Sequence, residues 1–353
     1  MAITIDEYRK NLQNEFFQDC CIRNKKIFVF ISEVSLSDAE MEEEKDNGWN
    51  PALRPKSVIV YIRNKPIGEQ WSSGPLKNWQ KTLTGAAEKP LNQSINIEST
   101  SASFSTLENR VFITGSGSAY EDKPLSNKPN HGKNSIIKGV ITRLKTLDGY
   151  LYMCGSDRVL AKRIDRGNWQ LLTNKTLQKN TEKLDLNIGF DDFDGFSEQD
   201  IYAAGGHGDV WHFDGKNWMQ IDFTSKSLIQ AVCCGKDNYV YISCKEGLTF
   251  RGRDNHWEKI HDGGINLGFH DMVWYEDRVW CSSDYGLWTI HDGKVATADV
   301  PDFILACSGN LYVNDDVMLL AGLGGAAFKE NGEWQEIVSF PVMQAELALE
   351  DTK

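Results

Sequence analysis

The chain carries seven histidines, His131, His207, His212, His256, His261, His270 and His291, and their spacing is a first test for chemistry. None forms an HxH or HExxH pattern, so no pair is set to grip a metal from one strand or one helix face. His212, His256, His261 and His291 sit near turns that follow strand-like runs, where a surface histidine is the ordinary outcome. His207 stands out because it lies in the Gly-rich run Gly205-Gly206-His207-Gly208. Acid–base work would be its chemistry. That run is not a phosphate cradle, since no Lys-Ser/Thr follows it and no helix opens after it. Gly115-Ser116-Gly117-Ser118 fails for the same reason, and no GxSxG elbow is present.

The eight cysteines point the same way. Cys20, Cys21, Cys154, Cys233, Cys234, Cys244, Cys281 and Cys307 form no CxxC pair and no zinc spacing. Several lie inside strand-like runs such as Tyr152-Met153-Cys154 and Val279-Trp280-Cys281, where a free thiol behaves as a small hydrophobe. Reduced core thiols fit the cytosol. The N-terminal residues lack the basic start and apolar core of a secretory signal, and no apolar run approaches the ~20 residues that span a bilayer. A cytoplasmic protein with no cofactor is expected.

Thirty-eight basic and fifty acidic residues in a chain of 353 give a formal net charge of −12. Such a surface repels phosphate backbones, so nucleic acid and anionic membrane are poor partners and a basic protein is a better one. The same acidity also serves solubility, and the protein is expected to be a monomer by itself.

The elements that must position any site emerge when the C-terminal half is set in register. Asp200-Ile201-Tyr202-Ala203-Ala204-Gly205 is followed by Val210-Trp211-His212-Phe213-Asp214-Gly215 and Lys216-Asn217-Trp218-Met219-Gln220-Ile221. Gly and Asp punctuate short strand-like runs, and Asp214-Gly215 is a hairpin signal because both residues tolerate the positive φ of tight turns. The same plan returns around Tyr241 and Trp257, around Trp274, Trp280 and Trp288, and at Asn331-Gly332-Glu333-Trp334. Trp169 to Trp218 is 49 residues, Trp218 to Trp257 is 39, and Trp257 to Trp334 is 77, or two units. A four-stranded repeat of about 40–45 residues is the sequence sign of a propeller blade. Trp71, Trp79, Trp211, Trp274, Trp280 and Trp288 are read chiefly as packing between blades, with interface anchoring as the alternative.

This half resembles a blade type common in bacterial β-propellers, with a strand D-[IV]-Y-A-x-G, a strand ending F-D-G and a closing N-W-x-x-[IV]. The resemblance covers residues 140–338 and specifies fold far better than function. Asp165-x-Gly167-x-Trp169 is similar to the Asp-box of sialidase-type propellers, but is one residue short and lacks the leading serine. The expectation is an all-β chain: one β-propeller domain over 1–353, of about seven four-stranded blades. Irregular, insertion-bearing blades should fill about 18–137 and regular ones about 138–338. Gln18–Ile22, Lys26–Ser32 and Ser57–Ile62 supply strands of the first blade, and Ala102–Ser105 and Arg110–Ile113 strands of the second. Thr4 and Glu7 have capping-box spacing, so the N-terminus forms a short helix or else a strand closing the ring.

In propellers the loop between the second and third strands of a blade opens on the same face as the connection between blades. Residues 33–56 should interrupt the second-to-third connection of blade 1, residues 116–134 that of blade 2, and residues 173–188 lie between blades. Long loops in a compact domain often carry function. Residues 38–46 hold Asp38, Glu40, Glu42, Glu43 and Glu44. Shorter loops on that face bring His207, Glu246, Asp284 and Tyr285, and the inner strands bring Asp191, Asp192, His270 and Asp271 to the axial opening. A ring of acid there would attract a cation or a Lys/Arg side chain.

Three functions compete. An acidic, cytosolic binder without a catalytic motif looks like an immunity protein that neutralises a cognate toxin. Many such toxins are basic nucleases, whose cleft an acidic face would occlude. The alternatives are an enzyme acting on a glycan at the axial mouth, and a scaffold subunit of a larger complex.

Overall fold

A computed structural model describes residues 3–36, 40, 42, 54–99, 109–115, 118–125, 137, 139–173, 177, 188–264 and 268–350. Among them are seven four-stranded antiparallel sheets, and the fold is a β-propeller. Each sheet is built from consecutive strands. Blade 1 holds β1 (Glu15–Asn24), β2 (Ile27–Val34), β3 (Lys56–Ile62) and β4 (Trp71–Leu76). Blade 2 holds β5 (Thr82–Ala87), β6 (Gln93–Glu98), β7 (Val111–Gly115) and β8 (Ser118–Asp122). Blade 3 holds β9 (Ile141–Leu147), β10 (Tyr150–Gly155), β11 (Val159–Asp165) and β12 (Asn168–Leu171), and blade 4 holds β13 (Asp192–Ser197), β14 (Asp200–Gly205), β15 (Asp209–Phe213) and β16 (Trp218–Ile221). Blade 5 holds β17 (Ile229–Cys234), β18 (Val240–Cys244), β19 (Leu248–Arg253) and β20 (His256–Asp262). Blade 6 holds β21 (Asp271–Tyr275), β22 (Arg278–Ser283), β23 (Gly286–His291) and β24 (Lys294–Thr297), and blade 7 holds β25 (Gly309–Asn314), β26 (Val317–Gly322), β27 (Gly325–Glu330) and β28 (Glu333–Ser339).

The hairpin residues do what their types allow. Asp292 and Gly293 sit at φ 49° and 70°, and Asn331 and Gly332 at φ 53° and 83°, as a tight turn of matching twist requires.

The chain divides into two compact units. One contains Gly85–Ser283 and Leu287–Ala298, and its core shows why the repeat works. Side chains alternate across a strand, so one strand feeds two inter-blade cores. On β14, Ile201 and Ala203 join Leu147, Leu160 and Phe193, whereas Tyr202 and Ala204 join Val232, Ile242 and Phe250. Cys233 packs with Met272 and Cys281, and its neighbour Cys234 packs with Tyr202 on the other side. Middle strands are therefore apolar on both faces. Trp211 and Trp218 pack on one such core, Trp257 on the second, and Trp274 and Trp288 on the third. Trp71, Trp79 and Trp280 are buried, so packing accounts for these side chains.

The other unit contains Met1–Thr84, Asp284–Gly286 and Asp299–Lys353. Helix α1 (Ile5–Asn11) begins on a capping box, with Glu7 N donating to Thr4 Oγ1 at 3.2 Å and Thr4 N to Glu7 Oε2 at 3.4 Å. The buried Glu7 carboxylate also accepts Gln70 N at 2.8 Å, Gly68 N at 3.0 Å and Trp71 N at 3.3 Å. One side chain thus starts α1 and fastens the turn before β4. Blade 1 is drawn wholly from the N-terminal strands and blade 7 from the C-terminal ones, so no strand is shared between them. Helix α2 (Asp302–Leu305) precedes blade 7, and helix α3 (Phe340–Glu350) follows it. Phe340 packs on Phe17 at 5.0 Å and on Tyr8 at 6.3 Å, while Arg9 pairs with Glu350 at 3.0 Å. The C-terminal helix has no counterpart among the elements expected from the sequence.

Two strand expectations need correction. Residues 111–113 belong to the third strand of blade 2, because β7 pairs with β6 on one side and β8 on the other, and Ala102–Ser105 lie outside the described residues. Residues 116–134 do not interrupt the second-to-third connection there, which spans 99–110. Gly115 on β7 pairs with Ser118 on β8, and the rest of that range lies between β8 and β9 in the chain. Residues 33–56 and 173–188 fall where expected, between β2 and β3 and between blades 3 and 4.

Candidate functional site

The loop rule is visible in two small backbone bridges. Ser156, in the second-to-third turn of blade 3, bridges Gly189 in the connection to blade 4. His207, in the equivalent turn of blade 4, bridges Leu228 in the next connection. Both kinds of loop therefore open together.

His207 is exposed, and its Nδ1 lies 2.9 Å from Lys226 O. Its loop is tied down at Gly206, whose N donates to Asp191 Oδ2 at 2.8 Å. Gly208 has φ +78°, and a Cβ there would sit 2.1 Å from Ser225 O, which explains the glycine. Asp191 thus holds its own blade's loop. Glu246 is exposed in the short turn Lys245–Gly247, at φ 64°. Asp284 and Tyr285 are exposed at the turn between β22 and β23, Tyr285 to 76%. Glu40 and Glu42 are exposed, whereas Asp38, Glu43 and Glu44 lie outside the described residues.

The inner strands of blades 3–6 hold something the sequence reading missed. Arg143 and Lys145, both on β9, meet the acids expected at the axial opening. Lys145 Nζ lies 2.9 Å from Asp192 Oδ2 and donates to Val232 O at 2.8 Å. Arg143 Nε is 3.3 Å from Asp192 Oδ1, its Nη1 is 3.6 Å from Asp271 Oδ1, and its Nη2 donates to His270 O at 2.6 Å. Asp192 accepts Val232 N at 2.8 Å, and Asp194 accepts Cys234 N at 2.8 Å. One ionic network thereby ties four inner strands together.

This corrects the acid ring. Asp192 is fully buried and Asp271 nearly so, and their counter-ions come from the same chain, so neither carboxylate reaches a partner. His270 contributes backbone groups to the frame. Buried charge persists only when it is compensated, and here each buried carboxylate faces a cation from β9. No local spacing could have revealed it, because the partners come from four blades. The two cations at alternate positions of a strand were its one trace.

Titration follows this burial. Burial works to lower the Lys145 ammonium, but Asp192 and Asp194 outweigh it and the pKa is raised. Burial raises Asp194, against the pull of Lys145 and two backbone N–H donors. All eight cysteines are buried free thiols, and burial pushes Cys21, Cys244 and Cys307 up to about 12. Among the described residues no group of three or more His, Cys, Asp or Glu is placed to hold a metal ion. No helix among them is long and apolar enough to cross a membrane.

With the geometry in hand, the chain can be set beside known proteins. It is similar to the Immune protein Tsi7 of Pseudomonas aeruginosa. The two are 27% identical over 225 residues, which is 64% of this chain and 69% of that relative. No protein-family model matches the chain. Among solved structures, the WD40 β-propeller domain of Doa1 superposes with TM-score 0.58 at 9% identity, covering 90% of this chain and 94% of that one. YCF48 bound to a D1 peptide superposes at 0.56 with 13% identity over 93% of each chain. These likenesses establish the propeller, which is a scaffold for many functions.

Proposed function

We propose that this chain is a non-catalytic immunity protein that binds a cognate bacterial toxin domain through its loop face. The observation carrying the proposal is the 225-residue likeness to an immune protein. The charge of −12 supports a basic partner, because complementary fields speed association and suppress wrong encounters. A nuclease fits best, since a domain that grips phosphate presents the basic surface this chain would cover. The exposed Glu40, Glu42, Glu246, Asp284, Tyr285 and His207 are the proposed contacts, joined by Asp38, Glu43 and Glu44 of the acidic run.

The test is co-expression with the toxin domain encoded beside this chain in its native genome. Restored growth, a stable purified complex and lost nuclease activity in that complex are expected. Unchanged killing in the presence of soluble chain would overturn the reading.

A further inference from the structure

Among the described residues, large exposed hydrophobic side chains are not scattered evenly over the loops. Ile67, Leu91 and Tyr239 sit at first-to-second or third-to-fourth turns, Leu171 and Met219 on fourth strands, and Val342 and Leu349 on α3. The remaining three are Tyr285 (76% exposed), Phe303 (45%) and Leu323 (48%). All three fall in loops of the kind that open together, and these loops follow one another in the chain. Tyr285 is in the β22–β23 turn, Phe303 in the connection between blades 6 and 7, and Leu323 in the β26–β27 turn.

Backbone packing brings the loops of the last two together. A Cβ on Gly324 would lie 2.1 Å from Ala306 O, and one on Gly322 would lie 1.9 Å from Ser308 O. The connection carrying α2 is therefore pressed against the β26–β27 turn. Ile304 and Cys307 are fully buried and anchor that connection, while Phe303 remains outside. Asp284–Gly286 belong to the same compact unit as Asp299–Lys353.

The charges that these loops themselves carry are of one sign. Asp284, Asp299 and Asp302 are exposed, and residues 283–287, 298–308 and 322–324 contain no lysine or arginine. An apolar centre with a charged rim is the anatomy of a protein interface, and clustered exposed hydrophobics mark such sites.

We propose that Tyr285, Phe303 and Leu323 are the apolar anchors of the toxin-docking surface, with Asp284, Asp299 and Asp302 as its acidic rim. This rests on the immunity reading and narrows it to one arc of the loop face. The occupant is a folded basic domain that presents an apolar recess ringed by Lys and Arg. A second copy of this chain is disfavoured, because three aspartates would meet three aspartates between molecules each carrying −12.

The test uses the full chain and the adjacent-gene toxin domain. Tyr285→Ala and Phe303→Ala should each weaken binding roughly 30-fold or more, as anchors do, with unchanged melting. Asp299→Lys with Asp302→Lys should slow association and flatten its salt dependence. Tyr239→Ala and Leu91→Ala are the controls, with no effect expected. A photo-crosslinking residue at 285, 303 or 323 should capture the toxin, which keeps the test open if a variant fails to fold. Full affinity in the Tyr285→Ala/Phe303→Ala/Leu323→Ala chain, or crosslinks only to a second copy, overturns the patch and leaves immunity standing. A toxin that the wild-type chain neither binds nor neutralises overturns both.

Discussion

Asp192 offers the sharpest test of how the inner strands are held. Its carboxylate is fully buried, 2.9 Å from Lys145 Nζ and 3.3 Å from Arg143 Nε, and it accepts Val232 N. At 2.9 Å and an effective dielectric of about 20, the gross attraction to Lys145 is roughly 6 kcal/mol. Desolvation of both ions offsets much of this, leaving a net coupling of about 1.5–3 kcal/mol. Asp192→Asn retains an oxygen for Val232 N and Lys145 but turns an NH2 toward Arg143 and Phe193 N, so it should cost about 3–5 kcal/mol. Lys145→Met should cost less, because Asp192 keeps Arg143 and its backbone donors. The double variant should then be less destabilised than the sum of the two, since once Asp192 has lost its charge the buried ammonium has lost the ion pair that offsets its desolvation. Urea unfolding followed by tryptophan fluorescence measures all four corners of the cycle. A coupling below about 0.5 kcal/mol, or a cost of Asp192→Asn below about 1 kcal/mol, would refute the network as a stabilising frame, because exposed pairs are worth only that much.

Asp194 should make stability depend on pH. Burial raises its folded pKa above 3.8, so its contribution is fully present below about pH 4 and is lost as pH rises through the folded value. Asp194→Asn should lose one backbone hydrogen bond at every pH, yet show a flatter stability profile between pH 4 and 7 in urea titrations; parallel profiles would refute this. Glu7→Ala removes the acceptor of Gln70 N and Gly68 N as well as the helix cap, and should cost about 2–4 kcal/mol by the same assay. Glu7→Gln should recover part of that. Ellman's reagent should find no reactive thiol in the folded protein and eight after unfolding, because every cysteine is buried and Cys21, Cys244 and Cys307 are held near 12. A fast-reacting thiol at pH 8 would contradict the packing described for Cys233 and Cys234.

What the sequence revealed follows from where each structural cause is encoded. Hairpin turns are local: Asp292-Gly293 and Asn331-Gly332 carry both the backbone freedom and the residues that use it, so blades 6 and 7 could be read directly. The apolar alternation of β14 is equally local, because Ile201, Tyr202, Ala203 and Ala204 must all be apolar to feed two cores. Blade 2 was misread because Gly115-Ser116-Gly117-Ser118 looked like the start of a long insertion rather than a hairpin. The inner-strand network is non-local in every member. Arg143 and Lys145 on β9 meet carboxylates and carbonyls from β13, β17 and blade 6, so no window of sequence holds a donor and its acceptor. The same reasoning separates frame from surface. Asp192 and Asp284 are indistinguishable as letters beside a strand end, yet one is sealed between two cations and the other stands exposed beside Tyr285. Asp192 and Asp271 are balanced by Arg143 and Lys145, so the total of −12 survives their burial but does not say which carboxylates stand at a binding face. The exposed charges on the loops of Tyr285, Phe303 and Leu323 are all acidic, and there the physical case for a basic partner is strongest.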